Sequence, residues 1–251
     1  MSGKTFVIIP ARFGSTRFPG KVLAELHGKP LIQWVYEKAR DSVADDVVVA
    51  TDHPRVMAAV TAFGGKAVMT AVDHPSGTDR ICEAADKIGC GDRDIIVNIQ
   101  GDEPLLPISV INDLIAMMRE NPGLEMGTVA APRPRAEIGP DPNRVKVIFG
   151  ADGAAIYFSR SMIPYLREGG EDTPCYLHWG IYAYRGDVLR RFVRLPEGRL
   201  EQCEKLEQLR ALENGIRIQV LISELESIGV DTPADLERAR RKLEEILPGM
   251  N

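Results

Sequence analysis

The amino-acid sequence predicts an α/β fold, a mixed and mainly parallel sheet flanked by helices. Three observations carry this. Short β-branched runs recur through the first hundred positions, they are continuously apolar rather than alternating, and amphipathic helical patterns separate them. Continuous apolarity suits strands covered on both faces. Strand–helix alternation at this spacing suits right-handed βαβ units.

The strand-like runs are TFVIIP (Thr5 to Pro10), VVVA (Val47 to Ala50), AVM (Ala67 to Met69) and DIIVNIQ (Asp94 to Gln100). Between the first two, PLIQWVYEKARDS places Leu31, Ile32, Val35 and Ala39 on one helical face and Glu37, Lys38 and Arg40 on the other. PRVMAAVTAFGG repeats the pattern with Val56, Ala59, Val60 and Phe63 and stops on Gly64-Gly65, a helix C-terminal signal. After Pro107 a helix is expected over ISVINDLIAMMREN, ended by Asn121-Pro122-Gly123. The character then changes. EMGTVAAP, NRVKVIFG, AAIYFSR and HWGIYAYR are strand-like but lack a helix between each, which suits mixed or antiparallel strands and a subdomain. LEQCEKLEQLRALENG is expected to be one helix with Leu200, Cys203, Leu206, Leu209 and Leu212 inward, IRIQVLIS another strand, and TPADLERARRKLEEIL a closing helix. Thr232, Pro233 and Asp235 supply that last helix with an N-cap, a proline at its first position and an acid at its third.

Bulk properties exclude several classes. A chain of 251 residues, 44% apolar and 27% charged, is ordinary for a globular protein of one domain, with or without a small subdomain. The net charge of −5 argues against a general nucleic-acid binder. The apolar run ended by Pro10 is too short for a signal peptide or a membrane span, so a cytoplasmic protein is expected. Cys82, Cys90, Cys175 and Cys203 form no C-x-x-C pair, and the four histidines show no zinc-site spacing, which leaves free thiols in a reducing compartment as the better reading.

Open α/β sheets bind ligands beyond the carboxyl ends of their parallel strands. Four segments leave strands at such ends: ARFGSTRFPGK (Ala11 to Lys21), ATD (Ala50 to Asp52), QGDEP (Gln100 to Pro104) and GVDTP (Gly229 to Pro233). The first is not a P-loop, because five residues rather than four separate Gly14 from Gly20 and Val22 stands where a hydroxyl is required. It still interleaves Arg12, Arg17 and Lys21 with Gly14 and Gly20, so backbone N–H groups can approach anionic oxygens while the cations attract them. A basic turn is the alternative for any one of the three. QGDEP reads either as a site for a hard divalent cation beside phosphates or as a solvated acidic turn. Asp231 can face the same edge or serve only the dipole of the following helix. Two such carboxylates facing a triphosphate would hold Mg2+. In HPSGTDR (His74 to Arg80), Thr78 is expected as a helix N-cap, and a ligand contact by the same loop is compatible with that role. Tyr157, Arg160, His178 and Tyr182 stand on the later strand-like segments, and Glu207 and Gln208 on a leucine-rich helix; taken singly, each reads as an ordinary surface or core residue.

Together these motifs, in this order and spacing, resemble the 3-deoxy-manno-octulosonate (Kdo) cytidylyltransferase, or CMP-Kdo synthetase, family. IIPARFGSTRFPGK and QGDEP are shared more widely among sugar nucleotidyltransferases, whereas HPSGTDR, HWGIYAYR and GVDTP narrow the likeness, which runs from Thr5 to about Arg241. The resemblance implies a Rossmann-like nucleotidyltransferase (glycosyltransferase-A-like) domain over residues 1–251, with a smaller sugar-binding and dimerisation lobe over roughly 133–195. It implies transfer of CMP from CTP to Kdo, with release of pyrophosphate, for lipopolysaccharide biosynthesis by a homodimer. Arg12 and Lys21 would bind the CTP phosphates and serve catalysis, Ser15 would also bind the nucleotide, and Ser76, Gly77, Thr78 and Arg80 would lie against the cytidine. Asp102 and Asp231 would hold Mg2+ and serve catalysis. Gln100 would reach both substrates, and Arg160, His178, Tyr182, Glu207 and Gln208 would line the sugar-acid pocket. CMP transfer to another 2-keto sugar acid, of the sialic acid or 8-amino-Kdo type, and a catalytically silent nucleotide-binding relative are the alternatives.

Overall fold

The computed structural model describes residues 3–14, 18–167 and 174–246; Ser15 and Arg17 of the opening loop lie outside the described residues. In chain order, β1 (Thr5–Pro10) leads to a short hairpin of β2 (Glu25–Leu26) and β3 (Lys29–Pro30), then α1 (Leu31–Arg40), β4 (Asp46–Thr51), α2 (Pro54–Ala62), β5 (Ala67–Met69), α3 (Gly77–Lys87), β6 (Ile95–Asn98) and α4 (Ile108–Glu120). The second half holds β7 (Met126–Arg133), α5 (Arg135–Ile138), β8 (Lys146–Phe149), β9 (Ala155–Ser159), β10 (Cys175–Arg185), α6 (Gly186–Phe192), α7 (Arg199–Glu204), α8 (Gln208–Glu213), β11 (Ile218–Ile222) and α9 (Pro233–Ile246).

The main sheet runs β11-β7-β10-β6-β1-β4-β5. Pairings of β4, β5 and β6 around β1 are parallel, as is β7 with β11, while β10 is antiparallel to both β6 and β7. The sheet is therefore mixed and mainly parallel. Strand alternation sends Val7, Ile9, Val47, Val49, Ile95 and Val97 into one core with α1, α2 and α4. Ile8 and Ile96 point the other way, into a core with α3, α6 and α8. Each fully buried Val, Leu or Ile contributes roughly 1.5–3 kcal/mol, so burial on both faces explains why these strands read as unbroken apolar runs.

Within the span 133–195, the first part of β10 pairs with β8 at Tyr176 and Leu177, and β8 pairs with β9. The last part of β10, Tyr182 to Arg185, lies in the main sheet between β6 and β7. A register shift between Trp179 and Tyr182 separates the two parts.

A third cluster joins chain ends. Leu26, Leu31 and Trp34 pack with Leu105, Val230, Ala239 and Leu243, and the Trp34 indole N–H donates to Leu26 O at 2.8 Å. This docking of α9 returns the GVDTP segment to the opening loop.

Two expectations are corrected. Residues 200–215 form two short helices, because Lys205 adopts a left-handed conformation (φ 51°) that ends α7. The break rotates the apolar face: Leu206 and Leu209 are buried, but Leu200 is 39% exposed and Cys203 faces solvent. At the start of α3 the N-cap is Ser76, not Thr78. Ser76 is extended (φ −138°, ψ 168°), and its Oγ accepts from the N–H groups of Thr78 and Asp79, each at 3.1 Å. Thr78 lies inside the first turn, where its hydroxyl is free for another partner. Thr232 behaves as expected, with its Oγ1 accepting from Asp235 N while the Asp235 carboxylate accepts from Thr232 N.

Candidate active site

A cleft of about 380 Å3 opens beyond the carboxyl ends of β1 and β6. Pro10, Arg12, Lys21, Val22, His74, Pro75, Ser76, Gly77, Arg80, Gln100, Gly101, Asp102 and Asp231 line it, so all four strand-end segments but ATD meet there directly. Gly101 permits the close packing, since a Cβ at that position would stand 3.0 Å from Pro10 O.

Lys21 begins a short 3-10 turn after Gly20, whose φ of 69° suits a residue without a Cβ. Its ammonium donates to Asp102 and, at 2.9 Å, to Asp231 Oδ1. The two carboxylates reach one cation because Val230 N donates to Asp102 O at 2.9 Å, which ties GVDTP directly to QGDEP. Burial draws the Lys21 pKa down, but Asp102 and Asp231 outweigh it and hold the pKa above its ordinary value. Beside them, burial and the charge of Asp102 push Glu103 up to about 7 against a hydrogen bond from Ser227.

Asp52 of the ATD segment supports the cleft from below. It accepts from Arg80 Nη2 at 3.0 Å and from Phe13 N at 3.1 Å, while Arg80 Nη1 donates to Thr70 Oγ1 and Ala71 O. Arg80 is thereby fixed at the cleft floor. Asp52 and His74 are site residues that the sequence reading did not single out. For Asp52 the signal was its position at the end of β4; for His74 it was the HPSGTDR loop itself.

A second group lies behind α3. The Thr78 hydroxyl donates to Glu207 Oε2 at 2.5 Å. Burial raises the Glu207 pKa against the hydrogen bond from Thr78, and Glu207 Oε1 is buried without a partner among the described residues. Gln208 is buried next in sequence. Tyr182 packs its ring 5.3 Å from that of His178, and Gln100 Nε2 donates to Gly180 O at 3.2 Å. Gln100 therefore bridges the cleft and this second group. Burial drives His178 down to about 3, so its imidazole is neutral at physiological pH, and raises Tyr182 well above its ordinary value.

Arg160 stands apart from the cleft lining. Its Nε, Nη1 and Nη2 donate to the backbone carbonyls of Glu204, Pro142 and Lys205, while its backbone N–H and Ser159 Oγ donate to the Glu204 carboxylate. Tyr157 reaches the same carboxylate at 3.5 Å. Ser15 lies outside the described residues. No helix among the described residues is long and apolar enough to cross a membrane.

Among the described residues no three His, Cys, Asp or Glu side chains are grouped to enclose a metal. The donor set nevertheless suits Mg2+, which keeps several waters and takes one or two carboxylates plus substrate phosphates. Asp102 and Asp231 already converge on a single cation, the Lys21 ammonium.

Residues 6–218 match the family model described as cytidylyltransferase. A 3-deoxy-manno-octulosonate cytidylyltransferase of Geobacter sulfurreducens is 50% identical over 94% of this chain and 98% of its own length. An 8-amino-3,8-dideoxy-manno-octulosonate cytidylyltransferase of Shewanella halifaxensis is 48% identical over 94% of this chain and 97% of its own. A solved structure of CMP:2-keto-3-deoxy-manno-octonic acid synthetase complexed with CTP superposes with a TM-score of 0.92 at 46% identity, covering 97% of this chain and 100% of the other. The chain belongs to the cytidylyltransferase family, in the group of the 3-deoxy-manno-octulosonate cytidylyltransferases.

Proposed function

We propose that this enzyme transfers CMP from CTP to the anomeric hydroxyl of Kdo, releasing pyrophosphate and forming CMP-Kdo for lipopolysaccharide assembly. The convergence of Arg12, Lys21, Ser76, Gly77, Arg80, Gln100, Asp102 and Asp231 on one cleft carries it. Such a cleft pairs cations for a triphosphate with two carboxylates for a metal and, at Ser76 and Gly77, the start of helix α3. Arg12 and Lys21 bind the phosphates, and Lys21 offsets charge that develops at the α-phosphate. Asp102 and Asp231 hold Mg2+, which when bound neutralises the departing pyrophosphate. Ser76, Gly77, Thr78 and Arg80 lie against the cytidine, with Asp52 keeping Arg80 in place. His178, Tyr182, Glu207 and Gln208 receive the sugar acid, with Gln100 between the two substrates. Arg160 binds the sugar carboxylate once its contacts to Glu204, Lys205 and Pro142 rearrange. The hydroxyl attacks the α-phosphorus in line, so catalysis is positioning and charge neutralisation without a covalent enzyme intermediate. The protein acts as a cytoplasmic homodimer, with the 133–195 lobe supplying the contact.

The test is pyrophosphate release with Mg2+ and CTP across Kdo, its 8-amino analogue and sialic acid. Fastest turnover with Kdo is expected. Turnover with another acid and none with Kdo overturns the substrate, and no turnover with any acid overturns the reaction.

A further inference from the structure

The shift of register in β10 leaves Gly180 and Ile181 out of step with β7. Two side chains cap the carbonyls there: Gln100 Nε2 donates to Gly180 O, and Thr128 Oγ1 lies 2.8 Å from Ile181 O. Thr128, on β7 and fully buried, is also 3.0 Å from His178 Nε2 and 3.4 Å from Trp179 O. A hydroxyl has one proton, and a carbonyl oxygen only accepts. The proton therefore goes to Ile181 O, the nearer carbonyl, and the Thr128 oxygen is left to accept from His178. In a neutral imidazole that assigns the proton to Nε2 and a bare lone pair to Nδ1. Phe158, edge-on at 4.9 Å, and Tyr182, tilted at 5.3 Å, pack against the ring.

We propose that Thr128 is a positioning residue of this enzyme: it fixes the Nε2–H tautomer of His178 and so presents Nδ1 as an acceptor for a hydroxyl of the sugar acid. The second clause rests on His178 lying in the sugar pocket. The first rests only on the hydrogen-bond geometry. A single hydroxyl thus couples the strand irregularity, which Gln100 secures from the nucleotide side, to the polarity of a group facing the acceptor sugar.

Nitrogen-15 NMR of histidine-labelled enzyme, with the His178 signals assigned through H178Q, reads the tautomer without any change at Thr128. Protonated Nε2 and unprotonated Nδ1 are expected; the reverse tautomer overturns the role of Thr128. Thr128→Val removes the acceptor at similar volume. It is expected to release the tautomer and raise KM for the sugar acid about tenfold, the worth of one hydrogen bond, with KM for CTP within about twofold. Thr128→Ser keeps the hydroxyl and is expected to restore both tautomer and KM, so the comparison stands even where the valine variant folds poorly. A serine variant with raised sugar KM, or a folded valine variant with the wild-type tautomer and KM, overturns the proposal. An H178Q enzyme with unchanged sugar KM overturns the substrate clause and the sugar-pocket reading with it, whatever the tautomer.

Discussion

The Lys21 ammonium stands 2.9 Å from Asp231 Oδ1 although 210 positions separate the two in the chain. With Asp102 on its other side, Lys21 fills the place where two carboxylates would hold a divalent ion. On the function proposed above, cation and metal would compete for the same charges, and Lys21 would turn toward the phosphates when Mg2+ and CTP bind.

That competition makes the three residues separable. Lys21→Met is expected to lose about 100-fold or more in kcat, as when a charge-stabilising donor is removed, while binding Mg2+ more tightly than wild type in calorimetry without nucleotide. Asp102→Asn and Asp231→Asn are each expected to lose most Mg2+-dependent pyrophosphate release while keeping the wild-type circular dichroism. Near-normal rates in either asparagine variant would remove that carboxylate from the metal site.

His178 sets an acid limit on stability. Burial lowers its pKa from 6.5 to about 3, so above pH 6.5 the ring is neutral in both folded and unfolded chains and contributes no pH dependence. Between 6.5 and about 3 the unfolded chain binds a proton that the folded chain refuses, and stability falls with acid by up to about 1.4 kcal/mol per pH unit. H178Q is expected to lose less melting temperature than wild type between pH 7 and pH 4.5. Parallel curves for the two proteins would show that His178 titrates normally in the fold.

Asp52 and Arg80 form a buried pair, with side chains 11% and 4% exposed. Asp52→Ala leaves Arg80 Nη2 and the Phe13 N–H without their acceptor and the guanidinium without its counter-charge, an effect of about 3–5 kcal/mol. For a chain of this size that corresponds to a melting temperature lower by roughly 10 °C, together with weaker CTP binding as Arg80 loosens. A calorimetric scan within about a degree of wild type would show that the pair contributes little.

Local chemistry determined much of this protein from the sequence alone. Continuous β-branched runs marked the parallel strands because both sheet faces are covered, and Thr232, Pro233 and Asp235 marked the start of α9 because capping is decided within one turn. The strand-end segments named Arg12, Lys21, Gln100, Asp102 and Asp231, and the family resemblance added Ser76, Gly77 and Arg80 of HPSGTDR; the fold gathers all eight around one cleft. Tertiary structure decided what depends on partners distant in sequence. The break at Lys205 turned Leu200 and Cys203 outward and brought Glu207 to Thr78, which helical periodicity could not register because it assumes an unbroken helix. Ser76 rather than Thr78 caps α3, since both residue types cap well and only backbone angles choose between them. Asp52 was marked only by its place at the end of ATD, and Thr128 carried no motif; their importance comes from Arg80 and His178, distant in sequence. The docking of α9 on Leu26 and Trp34 places Asp231 opposite Lys21: sequence supplies the charges, and long-range apolar burial sets the distance between them.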